Sequence, residues 1–345
     1  MSLLAFVVVL GVCVIAHEWG HFITARIFGV QVFEFSFGMG PRLWKKKGAL
    51  TEWSLRVFPI GGFVRLAGME GKDAEAEEPY REGMGFCDKP AWQRFFILFN
   101  GAAVNILLAI LLTVLLLVGH GVLDLSSARI GGLIEGYPAQ EAGIREGDVI
   151  LSVGDVSVAT WEEMAREFRS RGTEDSVEVR IDRGGEILGV SVRLKKDEET
   201  GYPLFGVRPS WKRYSFFAAL RYSVEYIWEM TKGIVGGVAS LFYDQAARES
   251  VTGPVGIASM AGQAARQGLW AFLSFLAVIN LHLGVLNLFP FPALDGGRLV
   301  FVVGEMLFRR KIPLRYEYYI HLAGFALLMG LILLVTWKDL ARLFP

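Results

Sequence analysis

Four long apolar segments constrain the fold of this chain more than any other feature of its sequence. A transmembrane helix needs about 20 mostly apolar residues to cross the hydrocarbon core of a bilayer. That requirement is met by about Leu3–Phe28, Phe95–Gly119, Trp270–Phe289 and Tyr319–Trp337. Hydrophobic residues make up 53% of the chain, above the roughly 45–50% of soluble domains, and the charged residues cluster between the four segments. The sequence therefore predicts a polytopic α-helical membrane protein with four transmembrane helices in contact with the lipid bilayer.

Lysine and arginine cluster in two of the loops next to these segments. The loop after the first segment carries Arg42, Lys45, Lys46, Lys47, Arg56 and Arg65, and the loop after the third carries Arg298, Arg309, Arg310, Lys311 and Arg315. By the positive-inside rule, both loops are predicted to be cytoplasmic. The long region between the second and third segments then lies on the outer side, as do both ends of the chain.

The first segment has no basic start and no small-residue cleavage site, so we expect it to be retained rather than removed as a signal peptide.

Two polar inserts separate the apolar segments. Residues 29–66 alternate short apolar runs with Gly and Pro, a pattern that predicts strands and hairpins in a membrane-associated, re-entrant region. Open strand edges in lipid leave backbone groups unpaired, so this region must pack on protein or line a wet cavity. Residues 128–207 read as a compact α/β insert, with a helix near Trp161–Ser170 and a hairpin turn around Arg183-Gly184-Gly185.

The second insert resembles a PDZ domain. The likeness lies in Tyr137-Pro138-Ala139, Ala142-Gly143 and Gly147-Asp148-Val149-Ile150. PDZ domains bind extended peptides by adding a strand to a sheet edge, so the resemblance implies a peptide or a substrate ectodomain as partner. The alternative is a module that only packs on the membrane part or filters access by size, and the sequence does not decide between them.

The region after the insert mixes aromatic and charged residues at near-helical spacing. We interpret Lys212–Ser250 as a surface-lying amphipathic helix, because the apolar run Gly233–Phe242 is too short for a fifth span. The predicted organisation is then a first span (1–28), a β-rich cytoplasmic-side region and loop (29–92), a second span (93–120), the PDZ-like insert (121–210), an amphipathic juxtamembrane region (211–268), a third span (269–297), a cytoplasmic loop (298–315), and a fourth span with the tail (316–345).

The first span contains an H-E-x-x-H motif. On a helix this spacing puts His17 and His21 on one face, where two imidazoles can reach one metal ion. Glu18 is positioned to take a proton from a water at that metal without occupying a ligand position. Ionisable residues inside an apolar span are functional candidates by default. The alternative is a pair of histidines that only hydrogen-bond neighbouring helices.

A catalytic zinc site usually has three protein ligands and an open position for water, so a third ligand is required. The candidate is Asp295, which follows Pro290 and Pro292 near the end of the third span. The prolines break the helix, and Gly296-Gly297 would allow a close approach to another helix. A lone Asp at a helix end is more often a cap or a solvated charge, so this assignment depends on the histidine motif.

Other polar residues in the spans have simpler interpretations. Asn100 and Asn105 are expected to make interhelical hydrogen bonds in a closely packed second span. His282 could lie behind the metal site, whereas His120 and His321 are near membrane boundaries and are interpreted as incidental.

The two motifs together closely resemble the signature of the site-2 protease family. H-E-x-x-H at His17–His21 is followed by N-x-x-P-x-x-x-x-D-G from Asn287 to Gly296, in the order found in that family. The glycine-rich strand region, the PDZ-like insert and the run Gly253–Ala258 are similar to its bacterial branch, whose members cleave anti-sigma factors and remnant signal peptides. Some members carry two PDZ domains, while the space here fits one.

This resemblance implies a zinc-dependent intramembrane endopeptidase of the bacterial inner membrane. His17, His21 and Asp295 would be the Zn²⁺ ligands, Glu18 the catalytic base, and Asn287 a group that holds substrate or intermediate. The substrates would be single-pass membrane proteins. Their helices must unwind before attack, and pairing with the edge of the strands in residues 29–66 is one way to hold them open. The PDZ-like insert would stand outside, with the active site toward the cytoplasm.

Several other classes find less support. The net charge is +0 and no nucleic-acid motif is present, which argues against a nucleic-acid partner. Cys13 and Cys87 lie in an apolar run and a basic loop, which argues against a disulfide or a cysteine metal site. A membrane transporter or a non-catalytic metal-binding scaffold is the alternative function, but no internal repeat is visible and no motif residue is missing.

Overall fold

The computed structural model describes residues 2–69, 80–171, 175–196, 203–310 and 313–343. The helices in this part of the chain are α1 (Ser2–Ile27), α2 (Ala91–Gly119), α3 (Pro138–Glu141), α4 (Trp161–Ser170), α5 (Phe216–Ser240), α6 (Gln245–Ser250), α7 (Pro254–Gln267), α8 (Leu269–Asn287), α9 (Asp295–Phe308) and α10 (Leu314–Leu343). The strands are β1 (Val32–Lys47), β2 (Glu52–Leu66), β3 (Val122–Leu123), β4 (Ile130–Leu133), β5 (Val149–Val153), β6 (Val156–Ser157), β7 (Ser176–Arg183), β8 (Glu186–Arg193), β9 (Lys195–Lys196), β10 (Pro203–Leu204), β11 (Val207–Pro209) and β12 (Trp211–Lys212).

Some predictions fall on residues outside these ranges. Lys311, counted among the basic residues of the cytoplasmic loop, is one of them. Parts of the predicted segments 29–92 and 121–210 also lie outside the described residues, at positions 70–79, 172–174 and 197–202.

The chain divides into two compact units. The membrane unit comprises residues 1–115 and 217–345, and contains α1, α8, α10 and most of α2. The insert unit comprises residues 116–216. Each unit has its own buried core.

Four helices in the described residues are long and apolar enough to span a membrane, as predicted. They are α1, α2, α8 and the stretch Tyr316–Ala341 of α10. An α-helix rises about 1.5 Å per residue, so 20 residues cover the roughly 30 Å of the hydrocarbon core. The spans differ in packing: 39% of the α1 span is buried inside the protein, but only 17% of the α10 span.

The predicted strands of residues 29–66 are present as β1 and β2. Both strands are long, and Glu34–Phe37 of β1 pairs with Gly62–Arg65 on one side and with Glu52–Leu55 on the other. The end of β1, Trp44–Lys47, also pairs with Glu52–Leu55. The sheet packs on α1, where Gly11 lies against the ring of Phe37. Glu34 is buried inside the sheet but accepts hydrogen bonds from Ser54, Arg42 and Arg56, which satisfy its charge. The sheet therefore packs on protein, as the requirement for paired backbone groups demands.

The segment Lys212–Ser250, predicted as one amphipathic helix, contains two helices: α5 at Phe216–Ser240 and the short α6 at Gln245–Ser250. The buried residues of α5, Ala219, Ser223, Ile227 and Ile234, recur at helical spacing on one face. Ile227 and Ile234 pack with Ala109 of α2 and Leu281 of α8. One face of α5 therefore contacts two spans, while its exposed residues include Phe217 and Trp228, so its position on the membrane surface stays a prediction.

The insert unit is built around a four-stranded antiparallel sheet in the order β6-β5-β7-β8. The predicted helix is α4, whose start is capped by reciprocal bonds between Thr160 and Glu163. The predicted hairpin joins β7 to β8 through Gly184 and Gly185, both with positive φ, as a two-residue hairpin turn requires. The core is apolar and includes Ile130, Ile150, Met164, Phe168, Val179, Ile181 and Val192.

Candidate metal centre

The two histidines of the first span lie on one face of α1. His17 and His21 are one helical turn apart, and their Nε2 atoms are 3.1 Å from each other. The rings meet edge to face, with centroids 4.7 Å apart. Both residues are buried, at 8% and 9% exposure. The H-E-x-x-H motif thus brings two imidazole nitrogens to one point inside the membrane unit.

Asp295 reaches the same point from α9. Its Oδ2 atom lies 2.9 Å from Nε2 of His17 and 3.2 Å from Nε2 of His21. These three side chains form a group that could hold a metal ion. The structure therefore brings together the three residues that the sequence singled out as ligands, although they come from opposite ends of the chain.

The three atoms fit a zinc ion by chemistry and by spacing. Zinc bonds of about 2.0–2.2 Å in a tetrahedral site separate neighbouring ligand atoms by about 3.3 Å, close to the 2.9–3.2 Å observed. Oδ2 of Asp295 is buried and faces the Nε2 atoms of both histidines, so the lone pairs of the three atoms can converge on one metal ion. Two imidazoles and one carboxylate make up three ligands, the number typical of catalytic sites with an open fourth position.

Backbone contacts orient one imidazole. Nδ1 of His21 lies 2.8 Å from the carbonyl oxygen of Ile97. A carbonyl oxygen can only accept, so Nδ1 carries the proton and donates it, and the lone pair of Nε2 faces Asp295 and His17. Such support of a ligating histidine is the usual arrangement behind a metal.

Glycines allow α1 and α2 to approach closely beside the histidines. A Cβ atom on Gly20 would collide with the backbone of Asn100 and Gly101, and one on Gly101 would collide with the ring of His21. Nδ2 of Asn100 donates a hydrogen bond to Oγ1 of Thr24, which ties the two helices together. This agrees with the expected role of Asn100, whereas the side chain of Asn105 has no hydrogen-bond partner among the described residues.

The helix break before Asp295 is sharper than the sequence suggested. The third span ends at Asn287, and Asp295 is the first residue of a separate helix, α9. In between, Ala293 has a φ of 83°, a conformation that costs an L-residue about 1–2 kcal/mol. The expectation for the two glycines needs a correction: a Cβ on Gly296 or Gly297 would meet the backbone of Leu288–Phe291, so they approach the turn before their own helix, not another helix.

α9 is also held to α2 by an ion pair. Nη2 of Arg94 lies 2.5 Å from Oε2 of Glu305, and both side chains are mostly buried. The same guanidinium donates from Nε to the carbonyl oxygen of Lys89. Because α9 carries Asp295 and α2 contacts both histidines, this pair helps to keep the two halves of the site together.

Sequence reasoning missed one contact. Nδ1 of His321, on α10, accepts a hydrogen bond from the backbone N–H of Ala293 at 3.0 Å. His321 had been interpreted as incidental because of its position near the end of a span. One sequence feature could have indicated this contact: His321 is a single imidazole in the apolar span that comes after the turn at Pro290 and Pro292. His282, considered a residue behind the site, instead contacts Val278 of its own helix at 2.8 Å.

Glu18 and Asn287 border the cluster. The Glu18 carboxylate is close enough to His17, His21 and Asp295 to interact with their charges, and it accepts a hydrogen bond from the backbone of Val64 in β2. The amide of Asn287 lies 3.5 Å from Nδ1 of His17. Both residues are therefore beside the three candidate ligands and outside the ligand set.

Comparison with known proteins agrees with this geometry. The sequence matches the model of peptidase family M50 over residues 5–331. FN1322 of Fusobacterium nucleatum is 33% identical over 348 residues, covering all of both chains. Zinc metalloprotease RasP of Shouchella clausii is 29% identical, and the regulator of sigma-W protease RasP of Bacillus subtilis is 27% identical; each match covers 99% of both chains.

Among solved structures, the PDZ domain of the SdrC-like protein of Listeria monocytogenes is similar to part of the chain. It is 17% identical, with a TM-score of 0.22, and the match covers 24% of this chain and 85% of that one. A TM-score this low does not establish a shared fold, so the PDZ interpretation stays a prediction.

The family assignment depends on two other matches, which cover nearly the whole chain. With a family match over residues 5–331 and a 33% identical relative aligned end to end, this chain belongs to peptidase family M50.

Proposed function

We propose that this M50 peptidase is a zinc-dependent intramembrane endopeptidase that cleaves the transmembrane segments of single-pass membrane proteins. The observation that carries this proposal is the meeting of His17, His21 and Asp295 at 2.9–3.2 Å, with both histidines on a membrane-spanning helix. Two relatives are named as zinc metalloprotease or protease, which supports the choice of metal and reaction.

Three residues would hold the zinc ion: His17 and His21 through Nε2, and Asp295 through Oδ2. Bound zinc contributes Lewis acidity, which polarises the scissile carbonyl and makes water a stronger nucleophile near neutral pH. The Ile97 carbonyl keeps the His21 ring in the tautomer that presents Nε2. The Asn287 amide lies 3.5 Å from Nδ1 of His17. With Nε2 on the zinc ion, Nδ1 would carry the proton, so the amide would hold this ring by accepting through Oδ1. The other role for Asn287 is the predicted one of contacting the substrate.

Glu18 would carry the proton. It borders the three ligands without joining them, so its carboxylate is free to accept a proton from the attacking water and deliver it to the leaving amine. The backbone N–H of Val64 fixes the carboxylate from the side of the sheet. Positioning of this kind is what a general base requires.

The β1–β2 sheet would hold the substrate in an extended form. A transmembrane helix has internally bonded carbonyls, so it must unwind before hydrolysis. β2 packs on α1. A Cβ atom placed on Gly62 of β2 would lie 3.8 Å from Cγ of Glu18, so this part of the sheet borders the proposed base. A crosslinker placed on residues 52–66 should capture a bound substrate, and capture only at distant positions would contradict the role of the sheet.

The orientation remains that predicted from the basic loops. The metal centre would lie toward the cytoplasmic side of a bacterial inner membrane, and the insert unit would stand outside, where it would bind a peptide or the ectodomain of a substrate. Cysteines introduced singly at Arg310 and Ile187 should react with a membrane-impermeant maleimide from opposite sides of sealed vesicles. Reaction from the same side would reject this topology.

The function is tested by replacing Glu18 with Gln in the full chain. Glu18→Gln should lower cleavage of a single-pass substrate in proteoliposomes by about 10²–10⁴-fold, the usual contribution of a general acid–base group. Zinc measured by elemental analysis should stay at one ion per chain, because Gln leaves the three ligands in place. Glu225→Gln, an exposed residue paired with Arg221 on α5, is the matched control and should cleave normally. Undiminished cleavage by Glu18→Gln would reject the proposed role.

A further inference from the structure

We propose that His321 is a positioning residue of the metal centre, which holds the backbone turn that presents Asp295. This inference rests on the proposed function, since it concerns the same site. His321 touches none of the three candidate ligands, so its effect would be exerted through the turn at Pro292–Leu294.

The first observation is the contact itself. The N–H of Ala293 donates to Nδ1 of His321 at 3.0 Å, and Ala293 precedes Asp295 by only two residues. Ala293 also has a φ of 83°, which places a residue with a Cβ atom in the left-handed region. A conformation of this kind persists when contacts from outside the segment hold it in place. His321 supplies such a contact from a separate helix.

A second contact of α10 reaches the same turn. Gly324 lies one helical turn after His321 and therefore on the same face of α10. A Cβ atom on Gly324 would lie 2.5 Å from the carbonyl oxygen of Pro292, so this glycine allows the helix to press against the turn. Only 17% of the α10 span is buried, and yet this helix meets the Pro292–Ala293 turn at two positions. α10 therefore packs against the turn that presents Asp295, in addition to its contacts with α7.

The chemistry of the imidazole fits an acceptor role. Nδ1 can accept the Ala293 N–H only in the tautomer with its proton on Nε2. Nε2 is buried and has no hydrogen-bond partner among the described residues. The ring also borders a cavity of about 290 Å³ that is lined by Ala293, Arg298 and Glu317. The one hydrogen bond of this ring therefore goes to the turn.

The rival explanation is that His321 only fills space in the bundle, where its ring packs near that of Phe301. The two explanations differ in what a substitution must preserve. A packing role requires bulk, which Leu supplies. A positioning role requires an acceptor atom at Nδ1, which Leu lacks and Asn retains, because Oδ1 of Asn occupies nearly the same place on the side chain.

The test compares His321→Leu and His321→Asn in the full chain with His282→Leu as control. His282 is also an imidazole in a span, but its Nδ1 contacts only Val278 of its own helix. Each protein is stripped of metal and reconstituted with Co²⁺, whose visible absorption reports ligand geometry. Zinc affinity, kcat and KM are measured on the zinc-loaded proteins, and thermal unfolding is measured on all of them.

We expect His321→Leu to alter the cobalt spectrum and to weaken zinc affinity about 10–100-fold, the usual effect of removing a residue that supports a metal ligand. Its kcat should fall about 10-fold or more with KM within about twofold, because substrate contacts are unchanged. His321→Asn should restore the spectrum and most of the affinity, and His282→Leu should match the unaltered chain.

The proposal is overturned if His321→Leu keeps the cobalt spectrum and zinc affinity of the unaltered chain. It is also overturned if the Asn and Leu variants lose affinity equally while unfolding at the same temperature, since bulk or folding would then explain the effect. These readouts do not depend on proteolysis. A Glu18→Gln variant that still cleaves would reject the proposed function and leave the cobalt result to decide the role of His321.

Discussion

The two units of this protein both bury apolar side chains, but the membrane unit buries many more polar ones beside them. The insert unit has a core of Ile150, Val179 and Ile181 with no exposed surface, as expected for a fold driven by the removal of apolar groups from water. The membrane unit buries imidazole and amide groups, including His17, His21, Asn105 and Asn280, and it exposes long apolar side chains. Lipid tails are as apolar as leucine, so burial of leucine contributes little to helix association in a membrane. Close packing and polar contacts must hold the metal centre together.

The glycines show the same contrast. In the insert unit, Gly136, Gly143, Gly147, Gly184 and Gly185 all have positive φ and open space where a Cβ would be, so they serve turns. In the membrane unit, Gly20, Gly101 and Gly324 have helical backbones and would collide with a neighbour if they carried a Cβ. The first group of glycines therefore provides backbone freedom at turns, and the second allows close contact between helices.

Gly101→Ala should have the greatest effect. Its Cβ would collide with the His21 ring and lie 3.0 Å from Cε1 of His17, so the histidines or the helix must move. A displacement of about 1 Å at a reacting centre can cost about 10²-fold in rate, and zinc affinity should fall with it. Gly233→Ala on α5 is the control, because nothing lies within 4 Å of the added atom. Equal cleavage rates and zinc contents for the two variants would show that close packing does not form the site.

Ile181→Ala should destabilise the insert unit by about 2–5 kcal/mol, the cost of a cavity in an apolar core. Hydrogen exchange of the full chain should accelerate in β5 and β7, while zinc content stays constant. Ile187→Ala, on the adjacent strand and 67% exposed, should change stability by less than about 0.5 kcal/mol. Loss of zinc from Ile181→Ala, as expected for Gly101→Ala, would show that the stability of the insert unit affects the metal centre. The separate cores of the two units predict no such effect.

Asp148→Asn should cost the insert unit about 2 kcal/mol, since it removes a charged hydrogen-bond acceptor that is buried. Burial alone would raise the pKa of Asp148, but the Arg183 guanidinium and the Arg145 N–H outweigh it and hold the pKa below the ordinary value of 3.8. The unfolded carboxyl therefore takes up a proton first, so the stabilisation is complete at neutral pH and is lost as the pH falls below about 4. Hydrogen exchange across this range should show a pH dependence that the Asn variant lacks.

Asp339→Asn should have the smallest effect, about 1 kcal/mol. Asp339, near the end of α10, accepts the N–H groups of Gly253 and Gly256 at the start of α7, at 3.3 and 2.9 Å. Asn keeps one acceptor but loses the charge that favours a helix N-terminus. Thermal unfolding of the full chain should shift slightly downward, and Asp244→Asn at the exposed start of the short helix α6 should shift it less. A larger loss for the Asp244 variant would contradict the importance of this interhelical cap.

The parts of the site that were predictable are those with local causes. The positions of His17, Glu18 and His21 follow from helical periodicity over five residues, and the hairpin at Gly184-Gly185 follows from the backbone that its turn requires. The break before Asp295 follows from two prolines. Only the two-part family signature related the histidine motif to Asp295, because no local rule connects residues so far apart in a chain.

The parts that were not predictable depend on contacts between distant residues. The Ile97 carbonyl looks like any other in an apolar span, and its role appears only where α2 meets His21. His321 was set aside for the same reason, since its partner Ala293 is an ordinary residue in sequence and unusual only in its backbone angle. The glycine pair after Asp295 was read as a helix contact, although its neighbour is the turn that the prolines create.

The distance along the chain between the ligands has a consequence for biosynthesis. Asp295 follows His17 by 278 positions, and His321 lies later still in the chain. At about 5–20 residues per second, the ribosome needs roughly 14–56 s to pass from the first ligand to the third. During that interval the growing chain carries two histidines and no complete zinc site. The candidate zinc site can therefore assemble only after α9, which carries Asp295, has been made.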